Sequence, residues 1–181
     1  MMIEISFTGR GGQGVVVASQ MLGLAFFKAD KYPQCYSVFG GERRGAPLAS
    51  FLRVDDKKIL LTCEIENSRE GICFDASLLD VERIRTQLKP GGRILINTPK
   101  PAEAFSDLAG YRIGLIDAPA VARKAGLEKI YNTVMVGAYC GFTGIPDMAS
   151  VLAAVGEMAP AYPEKNVAAA RIAFDQVTSF S

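Results

Sequence analysis

The chain places Gly9-Arg10-Gly11-Gly12-Gln13-Gly14 between a short apolar run, Met2-Ile3-Glu4-Ile5-Ser6-Phe7-Thr8, and an apolar helical pattern from Val15 to Phe27. That order is strand, glycine turn, helix. Such a turn aims backbone N–H groups and the positive end of a helix dipole at one point, where a phosphate or carboxylate is stabilised. Glycine is needed there because φ > 0 and close backbone approach strain a residue that carries a Cβ. Gly9, Gly11 and Gly14 complete a G-x-G-x-x-G spacing. The dinucleotide fingerprint also requires an acidic residue about 20 positions further on, at the end of the second strand. Asp30 and Glu42 are the nearest acids, and neither closes a β-branched apolar run, so the ribose-binding half is missing. Two readings stay open: an anion site, or a turn that only seats the first helix closely on its sheet.

With 181 residues, 49% of them apolar, the chain is long enough to bury a sizeable core, and the expectation is a single domain over 1–181. A net charge of +1 provides no electrostatic footprint for nucleic acid. No apolar run reaches the length of a membrane span. The first residues carry Glu4 in a strand pattern rather than a basic segment before an apolar one, so a cytoplasmic chain without a secretory signal is expected. The four cysteines, Cys35, Cys63, Cys73 and Cys140, form no C-x-x-C, and there is no histidine, so zinc and cluster ligation lack partners. The missing histidine also excludes Ser-His-Asp and Cys-His machinery. No catalytic residue and no metal ligand is assigned.

Further along, Asp30 to Gly45 reads as a long loop or irregular element, and Leu48–Val54 as a strand. After the polar turn Asp55-Asp56-Lys57, Lys58–Cys63 reads as a second strand, which would make an antiparallel hairpin and hence a mixed sheet. Gly71–Phe74 is a short apolar run. Asp75 or Ser77 caps an expected helix with Leu78, Leu79, Ile84 and Leu88 on one face, closed by Lys89-Pro90-Gly91-Gly92. Arg93–Asn97 and Tyr111–Ile116 read as strands, and Asp117-Ala118-Pro119 opens a short helix to Gly126. Asn132–Phe142, Asp147–Met158 and Glu164–Phe180 read as helices. Strands alternating with helices predict an α/β domain: a three-layer αβα sandwich with a mixed sheet, an antiparallel hairpin and a helical C-terminal region.

A second unusual segment is Phe39-Gly40-Gly41-Glu42-Arg43-Arg44-Gly45. Flexible backbone with two guanidiniums suits an anionic group, since arginine forks match carboxylate and phosphate. A solvated turn in which Glu42 pairs with a neighbouring arginine is equally open.

Gly9-x-Gly11-Gly12-Gln13-Gly14 followed by Gly41-Glu42-x-Arg44-Gly45 resembles the gamma subunit of 2-oxoacid:ferredoxin (acceptor) oxidoreductases, equivalent to a domain of the fused pyruvate:ferredoxin oxidoreductases. The resemblance runs over nearly the whole chain; Asn132, Val136-Gly137-Ala138 and Lys165-Asn166 share it. It implies a reaction in which a 2-oxoacid and coenzyme A become acyl-CoA and CO2 while an acceptor such as ferredoxin is reduced. It also implies that thiamine diphosphate and Fe–S clusters sit in partners, namely alpha and beta (thiamine-binding) subunits and a ferredoxin-like subunit of a hetero-oligomer. The gamma chain would bind no cofactor alone, be inactive in isolation, and have neither nucleic acid nor membrane as partner. The oxoacid would be chosen mostly by other subunits, with the free-standing form leaning towards 2-oxoglutarate or branched-chain substrates.

The candidate site then comprises Gly9, Arg10, Gly11, Gly12, Gln13 and Gly14 with Gly41, Glu42, Arg43, Arg44 and Gly45. These residues either line a pocket for coenzyme A phosphates or meet a partner subunit. Tyr32, Tyr36 and Phe39 flank the second segment and serve either as interface anchors or as core. Two further readings are an independent NAD/FAD-binding Rossmann-like oxidoreductase and a ligand-free structural adaptor.

Overall fold

The computed structural model describes residues 2–38 and 47–181. Its elements are β1 (Ile3–Arg10), α1 (Val15–Lys28), β2 (Tyr32–Val38), β3 (Pro47–Asp55), β4 (Ser68–Cys73), α2 (Val81–Gln87), β5 (Leu88–Asn97), β6 (Arg112–Ile116), α3 (Ala118–Lys124), α4 (Asn132–Thr143), α5 (Met148–Met158), α6 (Pro163–Gln176) and β7 (Thr178–Phe180). Short 3-10 turns occupy Ala76–Leu78 and Ala102–Leu108. Among the described residues the strands form one sheet in the order β2-β3-β1-β4-β5-β6-β7. The β1-β4-β5-β6 pairings are parallel; β3 is antiparallel to β1 and β2, and β7 to β6.

Strand periodicity divides the side chains between two faces. Ile5 and Phe7 of β1, Leu52 and Val54 of β3, Ile72 of β4 and Leu95 of β5 join a large core with α1 and α3 to α6. Their neighbours Cys73, Ile94 and Ile96, with Ile113 and Leu115, face a smaller core closed by α2 and the 3-10 turns. These are the three layers of an αβα sandwich with a mixed sheet, as the sequence predicts, with one helical layer much thicker than the other.

In the thick layer α4 and α6 run parallel in register. Thr133 meets Asn166, Gly137 lies on the backbone of Ala170, and Gly141 lies on that of Phe174. A Cβ on Gly137 would fall 2.2 Å from the Ala170 carbonyl oxygen, so the close approach needs glycine there.

The antiparallel pair is not the one predicted. Lys58–Cys63 forms no strand; β3 is flanked by β1 on one side and by β2 on the other, so no edge is left for it. Its place is taken by Tyr32–Val38, within the stretch expected to be a loop. The displaced segment is held by side chains instead. Gln34 Nε2 donates to the Leu61 carbonyl at 2.9 Å, Arg53 Nη1 to that of Cys63 at 2.7 Å, and the Ile65 N–H to Tyr36 Oη at 2.5 Å. Tyr36 also stacks on Phe51, an internal role, whereas Tyr32 is half exposed.

Three element ends also differ. The helix expected to run to Leu88 stops at Gln87, and Lys89-Pro90-Gly91-Gly92 falls inside β5. Asp75 caps only the first 3-10 turn, and Asp80 caps α2. The last helix ends at Gln176, and Thr178–Phe180 pairs with β6 as an edge strand.

Candidate functional site

After β1 the chain first builds β2 and β3 on one side, then crosses to β4 on the other, which makes the carboxyl end of β1 a topological switch point. In open α/β sheets that crevice is where ligands bind. The glycine turn occupies it. The Gln13 side chain ties the turn together: its Oε1 accepts from the Arg10 N–H at 2.7 Å, while its own N–H donates to the Arg10 carbonyl at 3.1 Å. Gly9 has no room for a Cβ, which would lie 2.6 Å from Val15 Cγ2 and 2.8 Å from Phe74 Cβ. Gly14 is left-handed at φ 78° and abuts Asn132, whose Cβ stands 3.1 Å from where a Gly14 Cβ would be. Gly11 and Gly12 lie between these anchors.

Arg10 points across the crevice. Its Nε donates to Asp75 Oδ2 at 2.8 Å and its Nη2 to Ser77 Oγ at 3.2 Å. The hydrogen bond from the Ser77 hydroxyl, followed by that from its backbone N–H and by Arg10, holds the Asp75 carboxyl below its usual range. Arg10 thus has an acidic partner within the chain itself.

Gly14 also marks the start of α1, with the start of α4 against it and that of α6 beside α4. Asn132 begins α4; Thr133 Oγ1 donates to Asn166 Oδ1 at 2.8 Å; Asn166 Nδ2 donates to the Tyr162 carbonyl at 3.0 Å at the start of α6. Tyr162 takes the left-handed conformation at φ 52°, unusual for an aromatic residue. Among the described residues, no side chain caps the starts of α1, α4 and α6. In contrast, α2, α3 and α5 are capped by Asp80, Asp117 and Asp147. The α4 start thus lies against the glycine turn at Asn132, and the α6 start lies beside it through the Thr133–Asn166 bond.

On the other face of the sheet a cavity of about 240 Å³ lies below Thr8 and Gly9, walled by Leu48, Cys73, Leu79 and Ile84. Burial pushes the Cys73 thiol up to about 11, so it is a neutral wall group and not a nucleophile near neutral pH. Cys35, Cys63, Cys73 and Cys140 lie on β2, the segment after β3, β4 and α4 respectively. No group of three or more potential ligands for a metal ion assembles among the described residues.

Of the sequence-predicted site residues, Gly9, Arg10, Gly11, Gly12, Gln13 and Gly14 come together at the switch point. Gly41, Glu42, Arg43, Arg44 and Gly45, with Phe39 and Gly40, lie outside the described residues. Asp75 and Tyr162 were missed, and Asn132 and Asn166 entered only through a family resemblance. Pro163 in the first turn of α6 was the available signal for that helix start.

Fold and turn together define an α/β protein with a glycine-lined switch point. The family model for pyruvate ferredoxin/flavodoxin oxidoreductase matches residues 4–176. The chain is 43% identical over 182 residues to pyruvate synthase subunit PorC of Methanocaldococcus jannaschii, covering 97% of each. It is 39% identical over 183 residues to the pyruvate/ketoisovalerate oxidoreductases common subunit gamma of Thermococcus kodakarensis, covering 99% of each. The crystal structure of pyruvate oxidoreductase subunit PORC from Thermotoga maritima has a TM-score of 0.86 at 30% identity, with 99% of both chains covered. The chain belongs to the pyruvate ferredoxin/flavodoxin oxidoreductase family, within which it is a gamma-type oxidoreductase subunit.

Proposed function

We propose that this chain works in a complex that converts a 2-oxoacid, coenzyme A and an oxidised acceptor to acyl-CoA, CO2 and reduced acceptor, and that its own task is assembly and the handling of coenzyme A. The observation that carries the second part is the glycine turn at the start of α1 with the start of α4 packed against it at Asn132 and that of α6 beside α4. Phosphate is the chemistry such a cluster of N–H groups favours. Gly11, Gly12 and Gly14 would allow the phosphates to approach the backbone. Gln13 would keep the turn closed, and Arg10 would fasten it to Asp75. Arg43 and Arg44, beside Gly41, Glu42 and Gly45, would add charge to the same ligand or to the partner subunit.

Fe–S clusters would sit in the ferredoxin-like partner, because the cysteines here are dispersed over four separate segments, and thiamine diphosphate in the alpha and beta partners. Pyruvate and ketoisovalerate appear in the relatives' names, and they are the first oxoacids to assay. Residues 1–181 are read as one gamma-type domain.

Gly14→Ala and Arg44→Ala in the assembled enzyme test the ligand role. Strain at φ 78° and contact with Asn132 should deform the turn, and the KM for coenzyme A should rise several-fold in both variants. An unchanged KM with lost assembly would reassign both segments to the subunit interface.

A further inference from the structure

Tyr139 sits in the middle of α4 and is buried. Its hydroxyl donates to Glu70 Oε2 of β4 at 2.5 Å, and the other Glu70 oxygen accepts from Arg93 of β5. Glu70 is only 2% exposed. A buried carboxylate is expensive to desolvate, and an apolar replacement of equal volume is often no less stable. Its best-attested return is fixing one arrangement among several of similar packing energy.

This core has such alternatives. The α4 and α6 backbones touch at Gly137 and Gly141, so the two helices form a single block. That block is tied to the sheet at its far end, where α6 runs through Val177 into β7 and Arg112 lies over the Phe142 ring, but towards the helix starts it meets the sheet through apolar side chains, whose attraction is non-directional and tolerates displacement. Among the described residues, the side-chain hydrogen bond that ties α4 to the sheet is Tyr139–Glu70. Two turns before Tyr139, Asn132 meets Gly14. A slide of the block would separate the α4 and α6 starts from the α1 start.

We propose that Glu70, acting through Tyr139 and braced by Arg93, is a positioning residue that sets where the α4–α6 block sits along the sheet and so keeps the α4 start against the glycine turn and the α6 start beside it. Its consequence for coenzyme A rests on the function proposed above.

The test uses the assembled complex with Tyr139→Phe, which removes the hydroxyl, and Glu70→Gln, which leaves one acceptor oxygen for two donors, Tyr139 and Arg93. Gly14→Ala serves as an independent probe of the turn. Amide hydrogen exchange is followed in segments 9–16 and 130–136, and KM for coenzyme A and kcat are measured. Tyr139→Phe should speed exchange in both segments more than elsewhere in the core, and should raise KM about fivefold with kcat nearly unchanged. Glu70→Gln should speed exchange in the same two segments, because it takes away the carboxylate that Tyr139 and Arg93 share.

General destabilisation, with neither segment singled out and KM unmoved, would overturn the proposal. So would a Glu70→Gln variant whose two segments exchange as slowly as those of the wild type. If Gly14→Ala leaves KM unchanged, the coenzyme A reading fails, and local exchange alone then decides the positioning role. Should Tyr139→Phe fail to assemble, Glu70→Gln decides through the same exchange readout: a local rise in the two segments supports the positioning role, and no rise overturns it.

Discussion

Single residues here are constrained by contact distance more than by charge. Gly137 is the sharpest case, because α4 lies directly on the backbone of α6 and a methyl group would sit 2.2 Å from the Ala170 carbonyl oxygen. Gly137→Ala gains helix propensity but must push two buried helices apart. The second effect wins: overpacking in a close-packed core costs about 1–3 kcal/mol, against at most about 1 kcal/mol from propensity. A lowered urea midpoint with an unchanged slope is the expected result, and a raised midpoint would show that the α4–α6 contact is looser than described. Arg10 illustrates the opposite limit. Its pairing with Asp75 is partly exposed, so its value lies in where it pins the turn rather than in net stability.

At the scale of elements, the capping pattern separates helices that are finished internally from helices left open. Asp147 is representative of the finished ones: it accepts from the Ser150 N–H and hydroxyl at the start of α5, and these bonds hold its carboxyl below the usual range. Its charged form is therefore favoured more in the folded than in the unfolded chain. The stabilisation is present above the unfolded carboxyl's range and is lost as pH falls through the lower folded value. Asp147→Ala should cost about 1 kcal/mol near neutral pH, with the difference from wild type shrinking in acid, as thermal melts between neutral pH and pH 3 would report. A gap that persists undiminished in acid would argue that the Ser150 contacts owe nothing to the charge. Similar carboxylates start α2 and α3, whereas among the described residues none caps α1, α4 or α6, and the α4 start lies against the glycine turn.

For the whole molecule, the seven-stranded mixed sheet orders everything else: one thick helical layer supplies the three neighbouring helix starts, and the thin layer leaves the cavity beside Thr8 and Gly9. A gamma-type subunit with this architecture is expected to function in company. The tagged chain, isolated anaerobically from its native host, should co-elute with a thiamine-binding and a ferredoxin-like subunit and show 2-oxoacid- and coenzyme A-dependent dye reduction. A chain that elutes alone with bound flavin or nicotinamide would sink that expectation and return the glycine turn to a dinucleotide role.

Local chemistry was legible in the sequence wherever it is decided within a few residues. The glycine turn, the strand before it and the helix after it follow from side-chain period and from the backbone freedom of Gly14. Asp117 starting α3 and the boundaries of α4 and α5 were readable for the same reason. Pairing was not. Lys58–Cys63 has a strand's composition, yet β3 had both edges occupied, a fact that exists only once β1 and β2 have docked. Tyr32–Val38 reads as a loop by itself because Pro33 and its polar residues suit an edge strand that is stable only against β3.

The site divides along the same line. The sequence by itself determined the turn and the family. The tertiary structure alone decided that Asn132, more than a hundred residues from Gly14, lies against it, that Asn166 joins the α6 start to Thr133 next to Asn132, and that Glu70 holds Tyr139 in the core. Hydrogen bonds and steric contacts act over a few ångströms in space, without regard to separation along the chain, so only the folded packing can bring such residues into one site.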